Sequence, residues 1–97
     1  MNYQENVQYQ SLKNKVVAIT GGASGIGEEL VRAYVNQGAK VAFMDFNREA
    51  GETLALELGC LFLECDVTNI EQLKSCFVQI AGKIGDVDIL INNAGSD

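Results

Sequence analysis

A chain of 97 residues has the size of one small domain, which excludes a self-contained two-domain enzyme. Its 47% apolar and 21% charged residues are the composition of a chain that buries a core and not of a disordered one. Seven basic residues against 13 acidic ones leave a net charge of −6, without the basic footprint that nucleic acids and anionic lipid surfaces attract, and with no His the commonest metal ligand is missing.

Residues 1–12 read as a polar tail. They contain no apolar run of the kind that marks a signal peptide, and no later stretch has the length of a membrane span. Lys15 to Thr20 is a short apolar run ending in glycines, the pattern of a strand buried on both faces. From Gly25 the spacing becomes helical, with Ile26, Leu30 and Tyr34 on one face, Val31 and Val35 beside them, and a stop at Gly38. Lys40 to Asp45 is a second strand. Asn47 is placed to cap a helix whose Ala50, Leu54 and Leu58 recur every fourth residue until Gly59. Cys60 to Cys65 reads as a third strand. Thr68 and Glu71 have the spacing of a capping box, ahead of an apolar stripe through Ile70, Leu73, Phe77, Ile80 and Ile84. Asp86 to Ile91 makes a fourth strand, followed by Asn92-Asn93-Ala94-Gly95.

The resulting β-α-β-α-β-α-β alternation is an α/β pattern that calls for a parallel sheet with crossover helices. In a doubly wound sheet of order 3-2-1-4 the fourth strand is an uncovered apolar edge, and self-association through it is one expectation. Cys60, Cys65 and Cys76 form an odd set without a CxxC pair, so they read as reduced, buried thiols, and the expected location is cytoplasmic.

Four junctions carry chemistry. Thr20 to Gly27 lies where the first strand passes into a helix, where unpaired N–H groups and a partial positive charge meet an anion, and glycines let a pyrophosphate approach the backbone. Its Gly-x-x-x-Gly-x-Gly spacing differs from the Gly-x-Gly-x-x-Gly dinucleotide fingerprint, and a turn that is merely rich in glycine is the alternative. Asp45 ends the second strand, 18 residues after Gly27, where a carboxylate accepts hydrogen bonds from ribose hydroxyls and repels a 2′-phosphate. That selects NAD, while the nearby Arg48 keeps NADP as the alternative. Asp66-Val67 ends the third strand, placed either beside an adenine or, through Asp66, as a cap for the next helix, a role equally open to Thr68 or Asn69. Asn92-Asn93-Ala94-Gly95 offers small residues over which a cofactor lies along the carboxyl edge of the sheet.

Together these pieces resemble the short-chain dehydrogenase/reductase family of Rossmann-fold enzymes, whose Thr-Gly-x-x-x-Gly-x-Gly motif is met at Thr20 to Gly27 and whose Asn-Asn-Ala-Gly is met at Asn92 to Gly95. The stretch from Lys40 to Val67 looks most like the hydroxysteroid and hydroxyprostaglandin dehydrogenase-like members. The resemblance implies a partial Rossmann fold over residues 13–97 and an NAD site. In that site Gly21, Ser24, Gly25, Ile26 and Gly27 hold the pyrophosphate, Asp45 holds the ribose with Phe46 beside it, and Asp66 and Val67 hold the adenine. Asn92, Ala94 and Gly95 form the inner side.

Members of that family are longer and carry a Tyr-x-x-x-Lys pair well beyond Asn-Asn-Ala-Gly, so the resemblance assigns no catalytic residue to this chain. Tyr9 and Lys13 match that spacing but precede the first strand, so Tyr9 is not a candidate. The leading expectation is therefore the adenosine-binding half of an NAD-dependent oxidoreductase, truncated and inactive alone, whose parent acts on a small alcohol or ketone. A stand-alone nucleotide-binding module and an interaction protein using its bare fourth strand are the alternatives.

Overall fold

The computed structural model describes residues 12–94; the tail through residue 11, with Tyr9, and Gly95 lie outside them. The elements run β1 (Val16–Thr20), α1 (Gly25–Asn36), β2 (Lys40–Asp45), α2 (Arg48–Leu58), β3 (Leu61–Glu64), α3 (Ile70–Lys83) and β4 (Ile89–Asn92). The four strands form one parallel sheet in the order β3-β2-β1-β4, as expected.

Side chains alternate across the sheet because successive Cβ atoms of a strand point to opposite faces. Val17 and Ile19 of β1 and Val41 and Phe43 of β2 pack with Val31 of α1 and Leu54 of α2. Val16, Ala18, Ala42 and Met44 pack on the other face with Cys76 and Ile80 of α3. Helices α1 and α2 thus cover one face and α3 the other. The central strands are apolar at nearly every position because both their faces are covered, and Phe43, the largest fully buried side chain, lies 5.2 Å from the half-buried Phe62 ring.

Strands β1 and β3 are shorter than expected, starting at Val16 instead of Lys15 and running Leu61–Glu64 instead of Cys60 to Cys65; three further departures have local reasons. Helix α3 starts at Ile70, so Asn69 and not Thr68 holds the N-cap position and its side chain accepts from the Gln72 N–H; the Thr68 hydroxyl donates to Asp66 Oδ1 at 2.6 Å, and the Thr68–Glu71 capping box does not form. Strand β4 begins at Ile89, after the Asp88 carboxylate has taken the Val16 N–H at 2.9 Å. Ile26, placed by periodicity on the apolar face of α1, is 74% exposed, because the first turn of the helix projects past the end of the sheet.

The order β3-β2-β1-β4 places a topological switch beside β1: the chain leaves β1 toward β2 on one side and returns to β4 on the other. A crevice opens there at the carboxyl edge of the sheet, bounded by the segments that leave β1, β2, β3 and β4.

Candidate functional site

The glycine turn is built from the end of β1 outward. Thr20 is buried; its hydroxyl donates to Asn92 Oδ1 at 2.9 Å and accepts from the Ala94 N–H at 3.1 Å, so the loop after β4 is tied to β1. Asn93 adds a second tie, its amide nitrogen donating to the Gly21 carbonyl at 3.1 Å. The Gly21 N–H donates to the Met44 carbonyl at 2.7 Å, which folds the turn back over β2. Gly27 is buried against this turn, and a Cβ there would collide with the Gly21 carbonyl oxygen. Gly25 has φ +60°, a conformation that L side chains seldom adopt, and open space where its Cβ would stand.

Helix α1 therefore starts on a turn with few and small side chains. Ser24 occupies its N-cap position without making a side-chain cap hydrogen bond, and the opening N–H groups of a helix have no intrahelical acceptor. Unpaired N–H groups with the positive end of the helix dipole form an anion-ready surface.

Facing it is a cleft of about 830 Å³, lined by Gly21, Ser24 and Ile26 from the turn and by Asp45, Phe46 and Asn47 from the end of β2. The end of β3 contributes Cys65, Asp66, Val67 and Thr68, and the loop after β4 contributes Asn93 and Ala94. Asp45 is half-buried, and its Oδ1 and Oδ2 accept from the backbone N–H groups of Asn47 at 3.0 Å and Ala23 at 3.1 Å. Asp66 is exposed; the hydroxyl and the N–H of Thr68 both donate to its Oδ1, which holds its carboxyl below the ordinary aspartate range. Asp66 does not cap α3, since Asn69 does.

Among the described residues no Lys or Arg lines this cleft. Arg48 donates to Glu52 at 3.2 Å along the surface of α2. Phe46 is 79% exposed at the cleft mouth beside Asp45. Cys65 is buried in the floor with Cys76 behind it, and burial together with the neighbouring Cys65 pushes the Cys76 thiol up to about 12.

Most residues singled out in the sequence thus meet at one edge of the sheet. Gly21, Ser24, Ile26, Asp45, Phe46, Asp66, Val67 and Ala94 line the cleft. Gly25 and Gly27 shape the turn without lining it, Asn92 turns its side chain to Thr20, and Gly95 lies outside the described residues. The lining positions that sequence reasoning did not assign are Asn47, Cys65, Thr68 and Asn93. Each adjoins an assigned residue, so strand-end position was the available signal.

Fold and site together define a doubly wound α/β domain with an anion-ready turn and two acidic strand ends sharing a cleft. The family model described as short chain dehydrogenase matches residues 15–97, and the chain belongs to that family. It is 45% identical over 94 residues to a D-xylose 1-dehydrogenase of Caulobacter vibrioides, covering 92% of this chain and 36% of that protein. It is 41% identical over 91 residues to the 15-hydroxyprostaglandin dehydrogenase [NAD(+)] of Bos taurus, covering 87% and 34% respectively. A crystal structure of a short chain dehydrogenase from Bacillus anthracis superposes with a TM-score of 0.77 at 37% identity, covering 81% of this chain and 34% of that one. The chain spans about a third of the length of the curated relatives it matches.

Proposed function

We propose that residues 13–97 form the adenosine- and pyrophosphate-binding half of an NAD-dependent oxidoreductase domain. The observation that carries this reading is a single cleft in which an uncapped helix N-terminus faces carboxylates at the ends of β2 and β3, with no cation along the lining. The glycine turn suits a pyrophosphate: Gly25 leaves open space where a Cβ would stand, Gly21 and Gly27 let the turn close on Ala94 and on the start of α1, and the turn amides supply donors. Asp45 takes the adenosine ribose hydroxyls, and Asp66 with Val67 takes the adenine. A 2′-phosphate would meet the Asp45 charge, and no Lys or Arg among the described residues lines the cleft to offset it.

When bound, the nicotinamide accepts or donates the hydride of an alcohol–ketone interconversion. The work of this chain is to bind and orient the adenosine half, and the whole protein acts on a small alcohol or ketone. The names of the D-xylose and hydroxyprostaglandin dehydrogenases support that class. Three free thiols suit a reducing compartment, and we assign the chain to the cytoplasm; recovery in a membrane or secreted fraction would contradict this.

Calorimetry on the 97-residue chain tests the reading. NAD and adenosine diphosphate ribose bind, NADP binds at least about ten-fold more weakly, and no alcohol oxidation accompanies binding. Absence of both heat and a melting shift at millimolar NAD excludes the reading. NAD-dependent turnover by this chain contradicts its restriction to binding.

A second reading rests on β4. Among the described residues it pairs with β1 alone, and its Leu90 is 52% exposed. We propose that this edge pairs two copies of the chain. Elution as a concentration-independent monomer in size-exclusion chromatography removes that proposal.

A further inference from the structure

The two hydrogen bonds of the Asp45 carboxylate go to backbone and not to side chains. Oδ2 accepts from Ala23 N–H at 3.1 Å, across 22 residues of sequence, and Oδ1 accepts from Asn47 N–H at 3.0 Å. Ala23 is the residue before the Ser24 N-cap position, and it is buried. Two residues earlier, Gly21 N–H donates to the Met44 carbonyl at 2.7 Å. The turn from Gly21 to Ser24 is therefore hung on the end of β2 at two points, one of which is the Asp45 side chain. With no side-chain cap on α1, this bond stands in the place where a cap would orient the first turn.

From this we infer that Asp45 is a positioning residue for the phosphate-binding turn as well as the acceptor for ribose. The inference rests on the nucleotide-binding reading above for what the turn holds, but the bond itself is a property of the chain without ligand. The roles are compatible: an ionised carboxylate offers about four lone-pair sites, the two amides use two, and two remain for hydroxyl donors. An isosteric Asn at this position cannot serve both amides, because its NH₂ would face an N–H, donor against donor. Coenzyme choice is thereby coupled to turn geometry. Replacing Asp45 to admit a 2′-phosphate slackens the anion site, so Asp45→Ser weakens NAD without a matching gain in NADP.

A ligand without ribose separates the two roles by sign. For inorganic pyrophosphate, Asp45 as a pure ribose selector contributes only repulsion, and removing its charge leaves affinity unchanged or raises it. If Asp45 positions the turn, removal lowers that affinity. The experiment compares the 97-residue chain with Asp45→Asn and Asp45→Ser by amide hydrogen exchange and by pyrophosphate calorimetry. Loss of one charge-assisted hydrogen bond is expected to speed exchange at Ala23 about ten-fold, with Ala18 and Phe43 unchanged, and to weaken pyrophosphate several-fold. Unchanged exchange at Ala23, or pyrophosphate binding as tight as in the parent, overturns the inference. A parent that binds neither pyrophosphate nor NAD overturns the nucleotide reading, and the exchange comparison still decides the bond. Should both variants fail to fold, the parent suffices: Ala23 must exchange more slowly than the exposed Gly25 amide, and equal rates overturn the inference.

Discussion

The N-termini of α2 and α3 are each closed by an asparagine, Asn47 accepting from Ala50 N–H and Asn69 from Gln72 N–H, both at 3.1 Å. The N-terminus of α1 opens at the same edge of the same sheet, yet Ser24 makes no such bond, and the turn ahead of it is held by Met44 and Asp45 from a neighbouring strand. The difference lies in where the amides are spent. In α2 and α3 a local side chain satisfies them and the helix start is self-contained. In α1 the turn is positioned from outside, and the opening N–H groups are left facing the cleft. A parallel α/β sheet gathers its crossover helix starts at one edge, and of these three the start of α1 alone lacks a side-chain cap, the contrast on which the proposed nucleotide site rests.

The largest effect should come from Gly27→Ala. Its Cβ would strike the Gly21 carbonyl, which is backbone and cannot rotate away. Calorimetry should show NAD affinity falling about 100-fold or more, with stability to urea falling by about 3 kcal/mol. Near-parental binding would mean that the turn does not hold the coenzyme.

Ser24→Asp should make α1 resemble its neighbours. The backbone at residue 24 is already extended (φ −155°, ψ 167°), as an N-cap requires, so a carboxylate there can accept from the first turn. Stability should rise by about 1 kcal/mol in urea melts while NAD affinity drops about ten-fold. A rise in both would contradict the trade between capping and binding. Asn69→Ala is the converse substitution and should cost about 1 kcal/mol of stability with NAD affinity changed less than about two-fold.

The smallest effect concerns the floor beneath the cleft. Burial, with Cys65 beside it, raises the Cys76 thiol from an ordinary value of 9.0 to about 12. Its neutral form is thus favoured in the folded state, and its contribution is intact below pH 9 and declines as pH rises from 9 toward 12. Melting temperatures measured across that range should fall less steeply in Cys76→Ala than in the parent; parallel slopes would show that Cys76 does not govern the alkaline limb.

Much of this could be read in advance because the signals are local. Strand β2 runs over the expected Lys40–Asp45, and Asn47 and Gly59 flank α2 in the capping roles their spacing suggested. Those features depend on residues within one or two turns of each other. The Thr68–Glu71 capping box failed because the helix begins one residue later than it requires: Asn69 holds the N-cap position and accepts from Gln72 N–H, while Thr68 turns back to Asp66. The end of β4 is set by a longer-range contact: Thr20, far away in sequence, takes the Asn92 side chain, while the unassigned Asn93 lines the cleft and donates to the Gly21 carbonyl.

The sequence by itself determined the alternation of strands and helices and where the strands end, because apolar period and turn residues act over a few positions; the order of the sheet followed from the doubly wound pattern that this alternation implies. Tertiary structure decided which N–H each carboxylate takes, which asparagine faces the cleft and that the exposed Ile26 flanks its mouth. Those choices depend on contacts between β1, β2 and β4 made across 22 to 74 residues, at distances that periodicity does not encode.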